Sequence, residues 1–159
     1  MAEPFEILPF DGQSIEGYKF VVRLPVHFRD IDMRGHINNA AYFSYLETVR
    51  LEYLIRVMEI ERIDNFEQDL PVVMASQTMH YRNPAHYRDI LLVGVRNSWI
   101  KRSSMGFEFE MRDEPTKRLI SDGSYVHVMY NNETGRSMPV FPEWIERFEN
   151  FEERRLRKE

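Results

Sequence analysis

The 159-residue chain has no cysteine, which excludes a disulfide framework, a thiolate metal site and a cysteine nucleophile. It has no run near the ~18 consecutive apolar residues of a membrane span. Its start, "MAEPFEILPFDGQ", lacks the basic-then-apolar order of a signal peptide. A net positive charge is also absent: the net charge of -5 gives no long-range attraction to nucleic acid or to an anionic membrane. These absences imply a soluble cytoplasmic protein with neither as a partner. Internal repeats, low-complexity segments and linkers are missing too, so a single α+β domain is expected. What the chain does have is 43% apolar and 13% aromatic residues, enough to bury a core without disulfides or metals.

Residues 1–17 carry Pro4, Pro9, Gly12 and Gly17 and read as an irregular lead-in. From 19 to 28 apolar residues alternate strictly, with Phe20, Val22, Leu24, Val26 and Phe28 on one face. This predicts a half-buried strand, at an edge or bulged near Pro25 because proline cannot donate to a ladder. Residues 40–58 switch to a helical period, through Tyr42, Leu46, Val49, Tyr53 and Val57. Leu51 and Met58 fall across that helix, so it expects to be surrounded. Glu47 precedes Arg50 at a helical spacing that favours a structural ion pair.

Four more strands are expected at 71–82, 89–100, 103–112 and 118–130, the third with Met105, Phe107, Phe109 and Met111 in clean alternation. "RNPAHYRD" and "RDEPTKR" read as connections between neighbouring antiparallel strands, and "WIKRSS" as a tight hairpin or bulge. The end, "FPEWIERFENFEERRLRKE", reads as a helix whose acids precede its bases, an order that complements the helix dipole. His127 reads as a hydrogen-bonded sheet residue.

The chemistry concentrates in "RDIDMRGHINNAAYFSYLE", Arg29 to Glu47. "DIDMRG" starts like a calcium-binding EF-hand loop, but Arg34 occupies an acidic position and Ala41 stands where the bidentate Glu belongs. A metal site from Asp30, Asp32 and His36 is opposed by Arg29 and Arg34, and no metal is expected. Asn38 or Asn39 suits the N-cap of the following helix, worth ~1 kcal/mol. Gly35 suits a positive φ, and Asp32 suits an Asx turn. The same groups can do chemistry. A carboxylate near a helix N-terminus stays ionised, beside outward-pointing N–H groups that can hold an oxyanion. That is an acyl-transfer site without Ser, Cys or metal.

The run Asp32, Gly35, His36, Ile37, Asn38, Asn39, Tyr42, Glu47, Arg50, set between an alternating strand and four more, resembles the hotdog-fold acyl-CoA thioesterases of the 4-hydroxybenzoyl-CoA thioesterase type. The resemblance implies an α+β hotdog fold, a long central helix wrapped by a curved antiparallel β-sheet, over residues 18–131. Residues 132–159 would then be an extension with an amphipathic helix. It implies hydrolysis of an acyl-CoA to free acid and CoA, with Asp32 as nucleophile or general base and the backbone N–H of Asn39 polarising the thioester carbonyl. His36 and Asn38 would shape the turn or contact substrate. Arg82, Lys101, Arg102 and Ser103 become candidates for the coenzyme A side, solvated surface charge being the competing reading of the basic ones. No cofactor is implied, coenzyme A being part of the substrate. The family pairs edge to edge into homodimers, often paired again into homotetramers, with active sites between subunits. Arg88 departs from the pattern, standing where the family has a glycine, so an altered turn is expected there. An acyl-carrier-protein thioesterase and a non-catalytic acyl-CoA-binding module are the alternative readings.

Overall fold

The alternation at 105–111 becomes strand β5 (Ser104–Asp113) in the computed structural model, which describes residues 5–158. Met105, Phe107, Phe109 and Met111 are all buried, because alternate side chains of a strand share one face. The other elements, in chain order, are β1 (Glu6–Ile7), β2 (Phe20–Pro25), a 3-10 turn (Phe28–Asp30), α1 (Asn39–Val57), α2 (Phe66–Asp69), β3 (Val72–Tyr81), β4 (Ile90–Ile100), β6 (Leu119–Asn131), β7 (Arg136–Ser137) and α3 (Pro142–Glu152). The strand order is β1-β2-β4-β5-β6-β3, with β7 beside β6. Helix α1 and the four strands from β3 to β6 lie within one residue of their expected ends. Among the described residues no helix is long and apolar enough to cross a membrane.

Several elements differ from the sequence reading. Strand β2 stops at Pro25 rather than at residue 28; Phe28 starts the 3-10 turn and is 74% exposed. Pro25 faces Ile90 of β4, whereas β1 reaches only Val22 and Arg23 of β2, so the missing N–H falls where β1 offers no partner. The lead-in is more ordered than expected: it contains β1, and Leu8, Ile15 and Tyr18 pack with Val21 and Leu92. Residues 1–4 of that lead-in, and residue 159 of the terminal extension, lie outside the described residues.

"RNPAHYRD" does not join neighbours, because β3 ends the strand order while β4 lies beside β2. Instead it crosses over, with Arg82 and Asn83 N–H donating to Ile120 O and Ala85 O accepting from Ile37 N–H. "RDEPTKR" does join the neighbours β5 and β6, and "KRSS" closes the β4–β5 hairpin through Lys101 N–H to Ser104 O (2.8 Å). Helix α3 ends at Glu152, where Glu153 turns left-handed (φ 54°). The bases at 154–158 therefore lie beyond the helix, and Ile100 pairs with that tail through Leu156 O and Lys158 N–H.

The chain forms two compact units. The first runs to Leu51 and includes Met79–Arg96 and Phe109–Gly123; the second is Glu52–Thr78, Asn97–Glu108 and the chain from Ser124 onward. In the first unit, Tyr42, Tyr45, Leu46 and Val49 of α1 are buried. In the second, Tyr53 stacks on Phe148 (6.1 Å between centroids) and Phe107 on Tyr125 (4.8 Å). Gly106 in that unit is needed for space: a Cβ there would sit 2.1 Å from the Trp99 ring. Gly106→Ala is expected to lower unfolding free energy by about 1–3 kcal/mol, the usual penalty of overpacking. A chemical-denaturation midpoint equal to wild type would show that the Trp99 ring simply moves aside.

Candidate active site

The two aspartates of the turn serve different ends. Residues 30–38 double back on themselves: Asn38 N–H donates to Asp30 O (2.8 Å), Asp32 N–H to His36 O (2.8 Å), and Ile31 bridges Ile37. Gly35 adopts the expected positive φ, 77°. Asp30 is used inside the fold, where its carboxylate accepts from the Tyr45 hydroxyl (2.6 Å), which itself accepts from His27 N–H (3.1 Å). Burial, then this bond to Asp30, raises the Tyr45 phenol well above its ordinary value, so it remains a neutral donor.

Asp32 is exposed, and its Oδ1 accepts from the backbone N–H groups of Arg34 (2.8 Å) and His36 (3.2 Å). Those bonds, Arg34's foremost, hold its pKa below the ordinary 3.8, so the group is a carboxylate at neutral pH. Its Oδ2 has no partner among the described residues. Asp32 is thus anchored by the amides of its own turn rather than by those of α1; the start of α1 meets it across a shared cavity.

That cavity, about 400 Å³, is lined by five of the candidate residues, Asp32, His36, Asn38, Asn39 and Arg82, all of the first unit. Asn38 settles the choice of cap: its Oδ1 accepts from Ala40 N–H (2.8 Å) and its carbonyl from Ala41 N–H (2.9 Å). Asn39, the first helical residue, keeps a backbone N–H without an acceptor among the described residues. The His36 and His86 rings meet edge to face at 5.0 Å. Arg82 is paired with Asp122 (2.9 Å), which ties down its charge.

Lys101, Arg102 and Ser103 belong to the second unit and do not line this cavity. Lys101 lies over the Trp99 ring (5.5 Å), and the carbonyls of Arg102 and Ser103 accept from Val140 and Met129 N–H. Further cavity residues were not singled out as site residues in the sequence, Arg34, Tyr42 and Tyr81 among them. Tyr42 follows Asn39 by three residues, a helical spacing that could have signalled a shared face. Tyr81 lies far along the chain and carries no local signal. Burial raises the Tyr42 phenol above its ordinary value, so it too is a neutral O–H at the cavity wall.

Arg88, across from this turn, corrects an expectation. The turn does not change to suit the side chain; Arg88 itself takes φ 73°, while Asp89 N–H bonds to His86 O (3.1 Å) and His86 N–H to Asp89 Oδ2 (2.8 Å). A left-handed non-glycine residue costs about 1–2 kcal/mol, and glycine returns part of that through its unfolded-state freedom. Arg88→Gly is therefore expected to stabilise the protein by about 1 kcal/mol, read as a higher denaturation midpoint; a lower midpoint would mean that the guanidinium over Tyr87 (5.6 Å) contributes more than the strain removes.

The turn, the capped helix and the strand order define the class. Residues 26–148 match the thioesterase-like superfamily, and the chain belongs to that family of thioester hydrolases, with the α+β hotdog fold expected from its motif. Among solved structures it is similar to a thioesterase from Thermus thermophilus complexed with coenzyme A and zinc, at 32% identity and a TM-score of 0.78, covering 89% of this chain and 100% of that one. Among curated proteins it is similar to the acyl-CoA thioesterase YbgC of Haemophilus influenzae, 30% identical over 58% of this chain and 66% of that protein. It is also similar to the long-chain acyl-CoA thioesterase FadM of Escherichia coli, 24% identical over 75% of this chain and 89% of that protein.

Proposed function

We propose that the protein is an acyl-CoA thioesterase in which Asp32 supplies the nucleophile or the general base and the N–H of Asn39 binds the oxyanion. The observation that carries this reading is a pairing within one cavity: an ionised carboxylate with a free oxygen, and a helix-start amide whose neighbours are capped while it is not. As general base, Asp32 takes a proton from water as the new C–O bond forms at the thioester carbon. The carbonyl oxygen becomes an oxyanion held by Asn39 N–H, and collapse breaks the C–S bond. The proton on Asp32 then passes to the departing thiolate. As nucleophile, Asp32 forms the C–O bond itself, CoA leaves as thiolate, and water cleaves the resulting anhydride.

Neither route calls for a metal or redox cofactor. The similarity to a CoA-complexed thioesterase and to two acyl-CoA thioesterases supports coenzyme A as the thiol carried by the substrate. His36 and Asn38 keep their assignment to the turn and cap beside the substrate. A cytoplasmic homodimer or homotetramer is part of the reading, supported by the absence of cysteine and by the end strand β3, which has no buried side chain along its length. The test is release of free thiol from a panel of acyl-CoAs by wild type and by Asp32→Asn; binding without release by the wild type would overturn the enzymatic reading.

A further inference from the structure

Asn39 is the residue on which the oxyanion site turns, and its two flanking peptide groups are held differently. The peptide before it is fixed by α1 itself, since Asn38 O accepts from Ala41 N–H (2.9 Å). The peptide after it, the first inside α1, carries two side-chain bonds in addition to those of the helix. Asn38 Oδ1 accepts from its N–H, that of Ala40 (2.8 Å), and the Tyr81 hydroxyl donates to its carbonyl, Asn39 O (3.2 Å). A peptide group is planar, so gripping its N–H and its C=O sets one plane. Asn39 N–H lies in the first of these planes, and Tyr81, by holding the second, limits rotation about the Asn39 backbone that joins them.

Tyr81 comes from the end of β3 and stands at the cavity wall. Its ring meets Tyr42 edge to face (5.3 Å, 67°), which carries its hydroxyl to the helix start. At 43% exposed it is not a core side chain whose hydroxyl merely needs a partner. A single sound hydrogen bond to a partly exposed carbonyl adds little to folding. Its effect falls on geometry, where a preorganised donor gains most in the transition state.

We propose that Tyr81 is a positioning residue for the oxyanion amide, acting through Asn39 O; this rests on the thioesterase reading given above. The hydroxyl neither touches the reacting atoms nor exchanges a proton with them. Its loss lowers kcat while leaving substrate binding and folding as they are.

The test is Tyr81→Phe, which keeps the ring on Tyr42 and removes only the hydroxyl. Expected are a kcat lower by about three- to tenfold, the range one hydrogen bond commands, an unchanged KM and an unchanged Tm. Amide hydrogen exchange adds a readout free of turnover: Ala40 N–H, on the peptide that Tyr81 grips, exchanges faster in the variant. Wild-type kcat in Tyr81→Phe overturns the proposal, as does a raised KM at constant kcat, which would make the hydroxyl a substrate contact. If the wild type itself hydrolyses no acyl-CoA, the thioesterase reading has failed, and Ala40 exchange still decides the positioning: an unchanged rate overturns it.

Discussion

Asp32→Asn is expected to lower kcat for acyl-CoA hydrolysis by about 10²- to 10⁴-fold, the range lost with a general base or its equivalent. The side chain remains the same size, and its amide oxygen can still accept from Arg34 and His36 N–H, as Asp32 Oδ1 does. The turn is therefore expected to survive, so KM and Tm should change little. What disappears is the negative charge and the proton-accepting or nucleophilic second oxygen. A variant that retains full activity would remove Asp32 from the chemistry. The pH dependence follows from the same bonds. Backbone N–H groups of Arg34 and His36 stabilise the charged form and hold the pKa below its ordinary 3.8, so activity rises with pH through a value beneath the usual carboxylate range. Above it, the Asp32 contribution is constant through neutrality. An acid limb well above the carboxylate range would mean that Asp32 is not the group whose ionisation governs the rate.

This site was legible in the sequence to the extent that its parts are local. A carboxylate, a glycine and an asparagine cap within eight residues must form a turn leading into a helix, and Asp32, Gly35 and Asn38 do so. The use of Asp30 inside the fold was not legible, because it is claimed by Tyr45, whose hydroxyl reaches back from the second turn of α1. Tyr81 was invisible for a stronger reason. It reaches the helix start because β3 lies at the end of the strand order and "RNPAHYRD" crosses from there to β4. Alternation along a strand says which face is buried but not which strand lies beside it. Arg88 shows the converse limit. Local preference argued for a changed turn, yet the bonds between His86 and Asp89 hold the glycine-like conformation. The basic run at 101–102 could be read as charge but not as place, and the structure sets it in the second unit.

Glu152→Ala is expected to cost about 3 kcal/mol of stability, because it removes the acceptor that two buried donors of the second unit share. Glu152 is the last residue of α3 and only 9% exposed. Its Oε1 accepts from the Tyr53 hydroxyl (2.6 Å) and from Asn97 N–H (3.0 Å), and Tyr53 and Asn97 are themselves fully buried. Burial first, then the nearby Glu152 charge, raises the Tyr53 phenol well above its ordinary value, so that phenol remains a donor in need of an acceptor. Truncation removes the carboxylate acceptor of the hydroxyl and weakens the hold on Asn97 N–H, which keeps a 3.1 Å approach to the Tyr53 oxygen. Losing a hydrogen bond to a charged acceptor costs about 1.5–3 kcal/mol, and the methylene lost near Tyr53 adds a cavity. Glu152→Gln retains an acceptor oxygen at the same reach and is expected to lose about 1 kcal/mol, the difference between a charged and a neutral hydrogen bond. Urea denaturation separates the two through their midpoints at constant slope. Equal losses in both variants would mean that the charge of Glu152, and not its acceptor geometry, holds the end of α3 against Tyr53.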